Sequence, residues 1–159
     1  MALKVKTPVT VGGRTFQTPW ITPAISTTPA YTAKDAMGTP FTVDFGCTSG
    51  IIQTILLTDM DLEDDEIDVL FFRSGITQSA DNAVFDLTDS EKRLFIGAKK
   101  IAASDYFDLS DNAVACVPNV GIAFADLIDQ RVTVQLVNRG AGTYAAVDDL
   151  QISFVVLQD

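Results

Sequence analysis

Hydrophobic and polar residues alternate along much of the chain with a period of two. Such alternation is typical of β-strands that bury one face. It predicts about eight strands, and the clearest lie at residues 51–58, 66–72, 94–102, 114–117, 120–124, 132–137 and 150–157. Pro118-Asn119 separates the strand at residues 114–117 from the strand at residues 120–124. The last two flank a glycine-rich turn and are expected to form a hairpin.

This pattern predicts an all-β protein, a jelly-roll-like antiparallel β-sandwich. Only two segments are candidates for a helical turn. Residues 88–91 have the Thr-x-x-Glu spacing of a capping box, and residues 126–129 are the second candidate. A chain of 159 residues is expected to form one such domain.

The N-terminal region has a different composition. Five of the six prolines lie within the first 40 residues. Proline fixes φ and lacks a backbone donor, so this stretch is expected to run extended, as an arm or an edge strand. Polar and hydrophobic residues alternate at residues 4–6 and 14–16, as they do in short edge strands. We therefore divide the chain into an extended basic arm, residues 1–29, and a sandwich domain, residues 30–159.

Charge is unevenly distributed along the chain. Residues 1–34 contain four basic residues and no acid, whereas the remainder contains 7 basic and 21 acidic residues, and the net charge is −10. An acidic body argues against general nucleic-acid binding, which needs a basic face. The apolar runs are also far shorter than the roughly 20 residues of a membrane helix. The N-terminus lacks the apolar segment of a secretory signal.

Residue chemistry argues against catalysis. The chain has no histidine, which removes the commonest general base and the commonest metal ligand. Cys47 and Cys116 are the only cysteines and are expected to be free buried thiols rather than a disulfide. No phosphate-binding loop motif is present. We expect a protein that is not an enzyme and needs no cofactor.

An acidic run at residues 59–68 holds seven acids in ten positions. It begins like a calcium loop, but Asp64 and Leu70 stand where that loop needs a glycine and a bidentate glutamate. We interpret it as a solvated loop between strands. A loose cation site remains the alternative, with four ligands at alternating positions: Asp59, Asp61, Glu63 and Asp65.

Trp20 is the only tryptophan and lies between Pro19 and Pro23. It either packs on its own core or docks on a partner, since tryptophan is enriched at interface hot spots. We predict partner binding by this residue together with three basic residues of the arm, Lys4, Lys6 and Arg14. The arm itself has three possible roles: contacting a partner, covering an edge strand, or crossing to a neighbouring subunit.

From residue 30 to the C-terminus the chain resembles the small proteins that decorate the heads of tailed bacteriophages as auxiliary or cement proteins. The similar segments, in chain order, are AYTAKDAMG (30–38), SGIIQTILLTD (49–59), DVLFF (68–72), DNAVF (81–85), residues 89–97, GTY (142–144), DLQI (149–152) and LQD (157–159). Lys34 departs from the small residue usual before Asp35, and residues 1–29 lie outside the resemblance.

The resemblance implies a jelly-roll-like sandwich that self-associates, often as a homotrimer, and binds the major capsid protein on the outer capsid surface. It places the protein on the virion, and in the host cytoplasm during assembly. The alternative is a tail or fibre module that binds a host receptor or glycan. Exposed aromatic residues around a groove would favour that alternative, and the candidates are Tyr31, Tyr106, Phe107 and Tyr144.

Overall fold

The structure, a computed structural model, describes residues 13–77 and 79–159. Within them the chain forms β1 (Arg14–Gln17), β2 (Ala36–Asp44), β3 (Gly50–Asp59), β4 (Ile67–Phe72), β5 (Phe95–Ile101), β6 (Tyr106–Leu109), β7 (Asn112–Phe124), β8 (Arg131–Asn138) and β9 (Leu150–Gln158). Two antiparallel sheets pack as a sandwich, with strand orders β1-β9-β3-β7-β6 and β2-β8-β4-β5. The all-β prediction is confirmed, and the jelly-roll connectivity stays a prediction.

Most predicted strands are confirmed within a residue or two: β3, β4, β5, β8 and β9. The two residues of the predicted capping box do bond to each other, although the N-cap of the turn is Ser90 and not Thr88. Thr88 donates its backbone N–H to the Glu91 carboxylate at 2.8 Å, and the Glu91 N–H points to the Thr88 hydroxyl at 3.4 Å. The turn that follows, Glu91–Leu94, is a 3-10 helix, and the second candidate becomes a 3-10 turn at Ile128–Gln130.

The prediction of two short strands around Pro118-Asn119 is wrong, because both belong to β7. Asn119 and Gly121 adopt positive φ angles of 55° and 69°, and the pairing of β3 with β7 shifts register between Ile52 and Thr54. This irregularity lets a proline lie within an otherwise continuous interior strand.

The predicted C-terminal hairpin is also wrong. β8 pairs with β2 and β4 in one sheet, whereas β9 pairs with β1 and β3 in the other. Residues 139–149 therefore cross from one sheet to the other. Neighbouring strands in sequence lie here on opposite sides of the core.

Part of the N-terminal region belongs to the sandwich. β1 pairs with β9, and the chain continues beside β9 through backbone bonds at Thr18 and Ile21, while Ile25 is buried. Residues 14–25 thus cover the edge of β9, which is one of the roles considered for the arm. The sandwich begins no later than Arg14, instead of at residue 30.

The core lies between the two sheets and is filled from their facing sides. The rings of Phe45, Phe71, Phe124 and Phe154 pack against one another with centroid separations of 5.3–6.0 Å. Both cysteines are unpaired, as predicted. Cys116 is exposed and not buried, because its neighbours Ala115 and Val117 are the β7 residues that face the core.

Candidate interaction surface and acidic clasp

Arg14 and Trp20 lie on the edge segment that runs beside β9. Backbone bonds anchor the chain on both sides of Trp20, at Thr18 with Phe154 and at Ile21 with Ile152, all at 2.9 Å. Ile21 packs against the core, so the adjacent Trp20 points away from it. The Trp20 side chain is 44% exposed. Packing in its own core is therefore not its role, and docking on a partner stays a prediction.

An apolar groove of about 300 Å³ lies where the described chain begins. Gly13 lines it together with Ile51, Phe124 and Leu157. Ile51 and Leu157 are direct partners across β3 and β9, and both are exposed on the outer face of the sheet. The N-terminal segment that carries Lys4 and Lys6 joins the sandwich at this groove. Both lysines lie outside the described residues, so the structure places only Arg14 and Trp20 of the predicted partner-binding set.

The acidic run forms a compact, hydrogen-bonded loop. Asp59 is fully buried at the end of β3, and its carboxylate accepts backbone N–H bonds from Asp61, Glu63 and Asp64, each at 3.0 Å. A carboxylate that satisfies several turn amides fixes the path of the chain. The loop is ordered by its own first acid.

The other predicted cation ligands bind the loop between β8 and β9. Asp65 accepts from the Ala141 N–H at 3.2 Å, Glu63 from Thr143 at 3.1 Å, and Asp61 from Ala145 at 2.7 Å. Alternate residues on two antiparallel stretches are thereby paired, side chain to backbone. We call this arrangement, residues 59–66 against residues 139–149, the acidic clasp.

Two glycines allow the clasp to close. A Cβ atom at Gly140 or Gly142 would overlap the Asp65 carboxylate. Backbone bonds tie the two ends of the clasp as well, from Arg139 N–H to the Glu66 carbonyl at 2.8 Å and from Met60 N–H to the Asp149 carbonyl at 2.9 Å. Glycine is required here for close approach.

The clasp concentrates negative charge in a partly desolvated space. Burial raises the pKa of Asp59 and of Asp65, and burial together with the nearby Asp108 carboxylate raises the pKa of Asp64. Burial and the same carboxylates also raise the pKa of Tyr106 and Tyr144. The Tyr106 hydroxyl donates to the Asp65 carbonyl at 2.9 Å.

The clasp does not assemble a metal site. Across residues 13–77 and 79–159, no group of three or more His, Cys, Asp or Glu side chains is arranged to hold an ion. At least one carboxylate oxygen of each of Asp59, Asp61, Glu63 and Asp65 accepts a backbone N–H bond instead. Loose cation binding stays a prediction, and the chemistry of the arrangement is the joining of two loops.

A second cluster joins two of the segments that carry the phage-protein resemblance. The Asp81 carboxylate accepts bonds from the Tyr31 hydroxyl at 2.6 Å and the Gly38 N–H at 2.7 Å. The Tyr31 ring meets the Tyr144 ring edge-on, with centroids 6.2 Å apart. Burial and the hydrogen bond to Asp81 raise the pKa of Tyr31. These motif residues hold the fold together.

The aromatic residues proposed for glycan binding do not form a groove. Tyr31, Tyr106 and Tyr144 are buried in the core, and Phe107 alone among the four is exposed. Phe107 lies on β6, a strand that sequence reasoning missed because it has four residues and contains Asp108. The exposure of Ile51 and Leu157 was also missed, although alternation within the predicted strands could have indicated it.

No family model, curated protein or solved structure matches the chain. None of the helical segments described is long and apolar enough to cross a membrane.

Proposed function

We propose that this protein is a non-enzymatic structural protein of a tailed-phage virion, which binds the outer capsid surface and stabilises it. It acts as a homotrimer with a jelly-roll-like fold, and its partners are the major capsid protein and other copies of itself. It works without cofactor, nucleic acid or membrane. It assembles in the host cytoplasm and remains on the outside of the particle.

One observation carries the proposal more than any other. The chain enters the sandwich at an apolar groove, and the segment that leads into it is basic and contains no acid. Residues 1–12 span up to about 40 Å when extended, at about 3.3 Å per residue. The groove and the exposed Trp20 offer apolar contacts, and Lys4, Lys6 and Arg14 offer positive charge.

The rest of the molecule suits a permanent scaffold. The acidic clasp and the Tyr31–Asp81 cluster fix the loops that leave the sheets. Rigid loops lose little conformational entropy on binding. Many copies on one shell would also strengthen weak individual contacts, because each neighbouring contact raises the effective concentration of the next.

Two truncations test the role of the arm. Removal of residues 1–12 leaves β1 in place, so the protein should keep its melting temperature and lose occupancy on heads purified without it. Removal of residues 1–28 deletes β1 and the segment along β9, so the protein should unfold at a lower temperature. Electron microscopy of reconstituted heads and thermal melts measure the two effects. Unchanged occupancy after the shorter truncation would refute arm-mediated binding.

Replacement of Trp20 by alanine tests its predicted contact with a partner. Because the ring is exposed, Trp20→Ala should leave the melting temperature nearly unchanged and weaken head binding. Val84→Ala is the matched control, since Val84 is exposed on the side of β2, in the other sheet. Equal binding by the two variants would contradict the proposal. Binding to a glycan array without binding to heads would support the tail or fibre module instead.

A further inference from the structure

The five-stranded sheet has two open edges in the described part of the chain. β1 lies at one edge and β6 at the other, and each is four residues long. An open edge presents unpaired backbone N–H and C=O groups that can pair with another chain. The four-stranded sheet is better protected, because residues 82–84 bond to the β2 side and β5 carries Lys99 and Lys100.

The two open edges differ in charge. β6 contains Asp108 and lies between Asp105 and Asp111, and its outward side chains Phe107 and Leu109 are 72% and 55% exposed. β1 begins with the exposed Arg14, in a region of 34 residues without any acid. Pairing β6 with β6 would bring two acidic edges together, and pairing β1 with β1 would leave each Arg14 without an acidic partner, because β1 contains no acid. Charge therefore favours β1 against β6.

The faces of the two strands also match. Phe16 on β1 and Tyr106 on β6 are partly or fully buried toward the core, so Arg14 and Asp108, two residues away from them, lie on the same side of the sheet. Thr15 and Phe107 lie on the opposite side. A second copy can thus continue the sheet with apolar and charged positions on corresponding faces.

We infer that copies of this chain associate head to tail, with β1 of one copy pairing with β6 of the next. Each successive strand in the sheet is antiparallel to its neighbour, so β1 and β6 run in the same direction and pair in parallel. Such a contact is heterologous, because it joins two different edges of the chain. When successive copies are related by a rotation that closes, the contact forms a ring. A three-copy ring gives the homotrimer, and this inference rests on the self-association in the proposed function but not on capsid binding.

Charge reversal tests the interface with the full chain in solution. Wild-type protein should have three times the 17.1 kDa mass of one chain by light scattering. Arg14→Asp and Asp108→Arg should each weaken association about tenfold or more, because each places like charges together, and the double variant should recover the trimer. Lys34→Asp and Asp148→Arg carry the same charge changes away from both edges and should remain trimeric. Circular dichroism verifies that each variant is folded.

The outcomes separate this interface from the rest of the proposal. A trimer that survives both reversals, or a double variant that fails to recover, overturns the pairing of β1 with β6 and leaves the capsid role standing. A wild-type monomer at about 100 μM, where even weak specific association is populated, overturns the interface and the trimer together. Head binding by that monomer would still support the capsid role.

Discussion

Replacing Gly142 by alanine tests the acidic clasp at its tightest point. Gly142 is buried, and a Cβ at this position would overlap the Asp65 carboxylate and lie 3.2 Å from the Tyr144 ring. The backbone cannot retreat easily, because the Gly142 carbonyl accepts a bond from Tyr31 N–H at 3.0 Å. The substitution should therefore displace Asp65 and loosen the clasp.

The expected loss of stability in Gly142→Ala follows from the tight packing around this residue. Overfilling a well-packed site costs about 1–3 kcal/mol. For a domain of 159 residues, about 2 kcal/mol corresponds to a fall of about 4–8 °C in melting temperature. Calorimetry or a circular-dichroism melt measures this. Gly75→Ala is the matched control, because a Cβ at Gly75 has open space around it and should leave the melting temperature unchanged or slightly raised.

A double variant identifies the source of the loss. Asp65→Ala removes the carboxylate that the new methyl group would meet, so Asp65→Ala with Gly142→Ala should be less destabilised than the sum of the single changes. Additivity within about 0.5 kcal/mol would refute the overlap with Asp65. A Gly142→Ala melting temperature equal to that of Gly75→Ala would refute the tight closure of the clasp.

Two further predictions concern the same acids. The pKa of Asp59, Asp64 and Asp65 is raised in the folded protein. Protonation of these acids therefore stabilises the fold, fully at pH values below the ordinary aspartate pKa. This stabilisation is lost as the pH rises through the raised pKa values. Asp64→Asn removes one such charge beside Asp108, and asparagine tolerates the positive φ of 49°. It should be more stable than wild type at pH 7 and lose that advantage near pH 4 in thermal melts; an advantage independent of pH would contradict the charge effect. Asp59→Ala leaves three N–H groups without their acceptor and should lose about 3 kcal/mol or more in urea unfolding, whereas the exposed Asp148→Ala should change little; equal losses would contradict the role of Asp59.

Strand positions could be predicted from the sequence because alternation is a local property. β3 and β4 follow their predicted ranges closely. The pairing of strands could not be predicted in the same way, because it depends on the sheet each strand joins. β8 and β9 are consecutive in sequence but lie in different sheets, and the loop between them is held by acids 76 to 84 positions away.

The acidic residues of the candidate site could be identified from the sequence, but their role could not. Alternating acids singled out Asp61, Glu63 and Asp65, and the structure does place them together. Their hydrogen-bond donors lie 76 to 84 positions away in the chain, so no local pattern could show that backbone amides occupy them. Trp20 was singled out by its proline neighbours, and its exposure depended on which face Ile21 would bury.

The hydrogen bonds that the clasp acids accept affect where on the protein a basic segment can bind. The acids of residues 59–65 accept amide bonds or share a crowded, partly desolvated space, so they attract a distant cation less than their number suggests. Asp108 and Asp111 are instead exposed at an open strand edge, beside exposed apolar side chains. Exposed charge next to unpaired backbone groups offers a basic strand both attraction and hydrogen bonds. Electrostatics and backbone pairing therefore favour the same place, the β6 edge, for the basic N-terminal strand of a neighbouring copy.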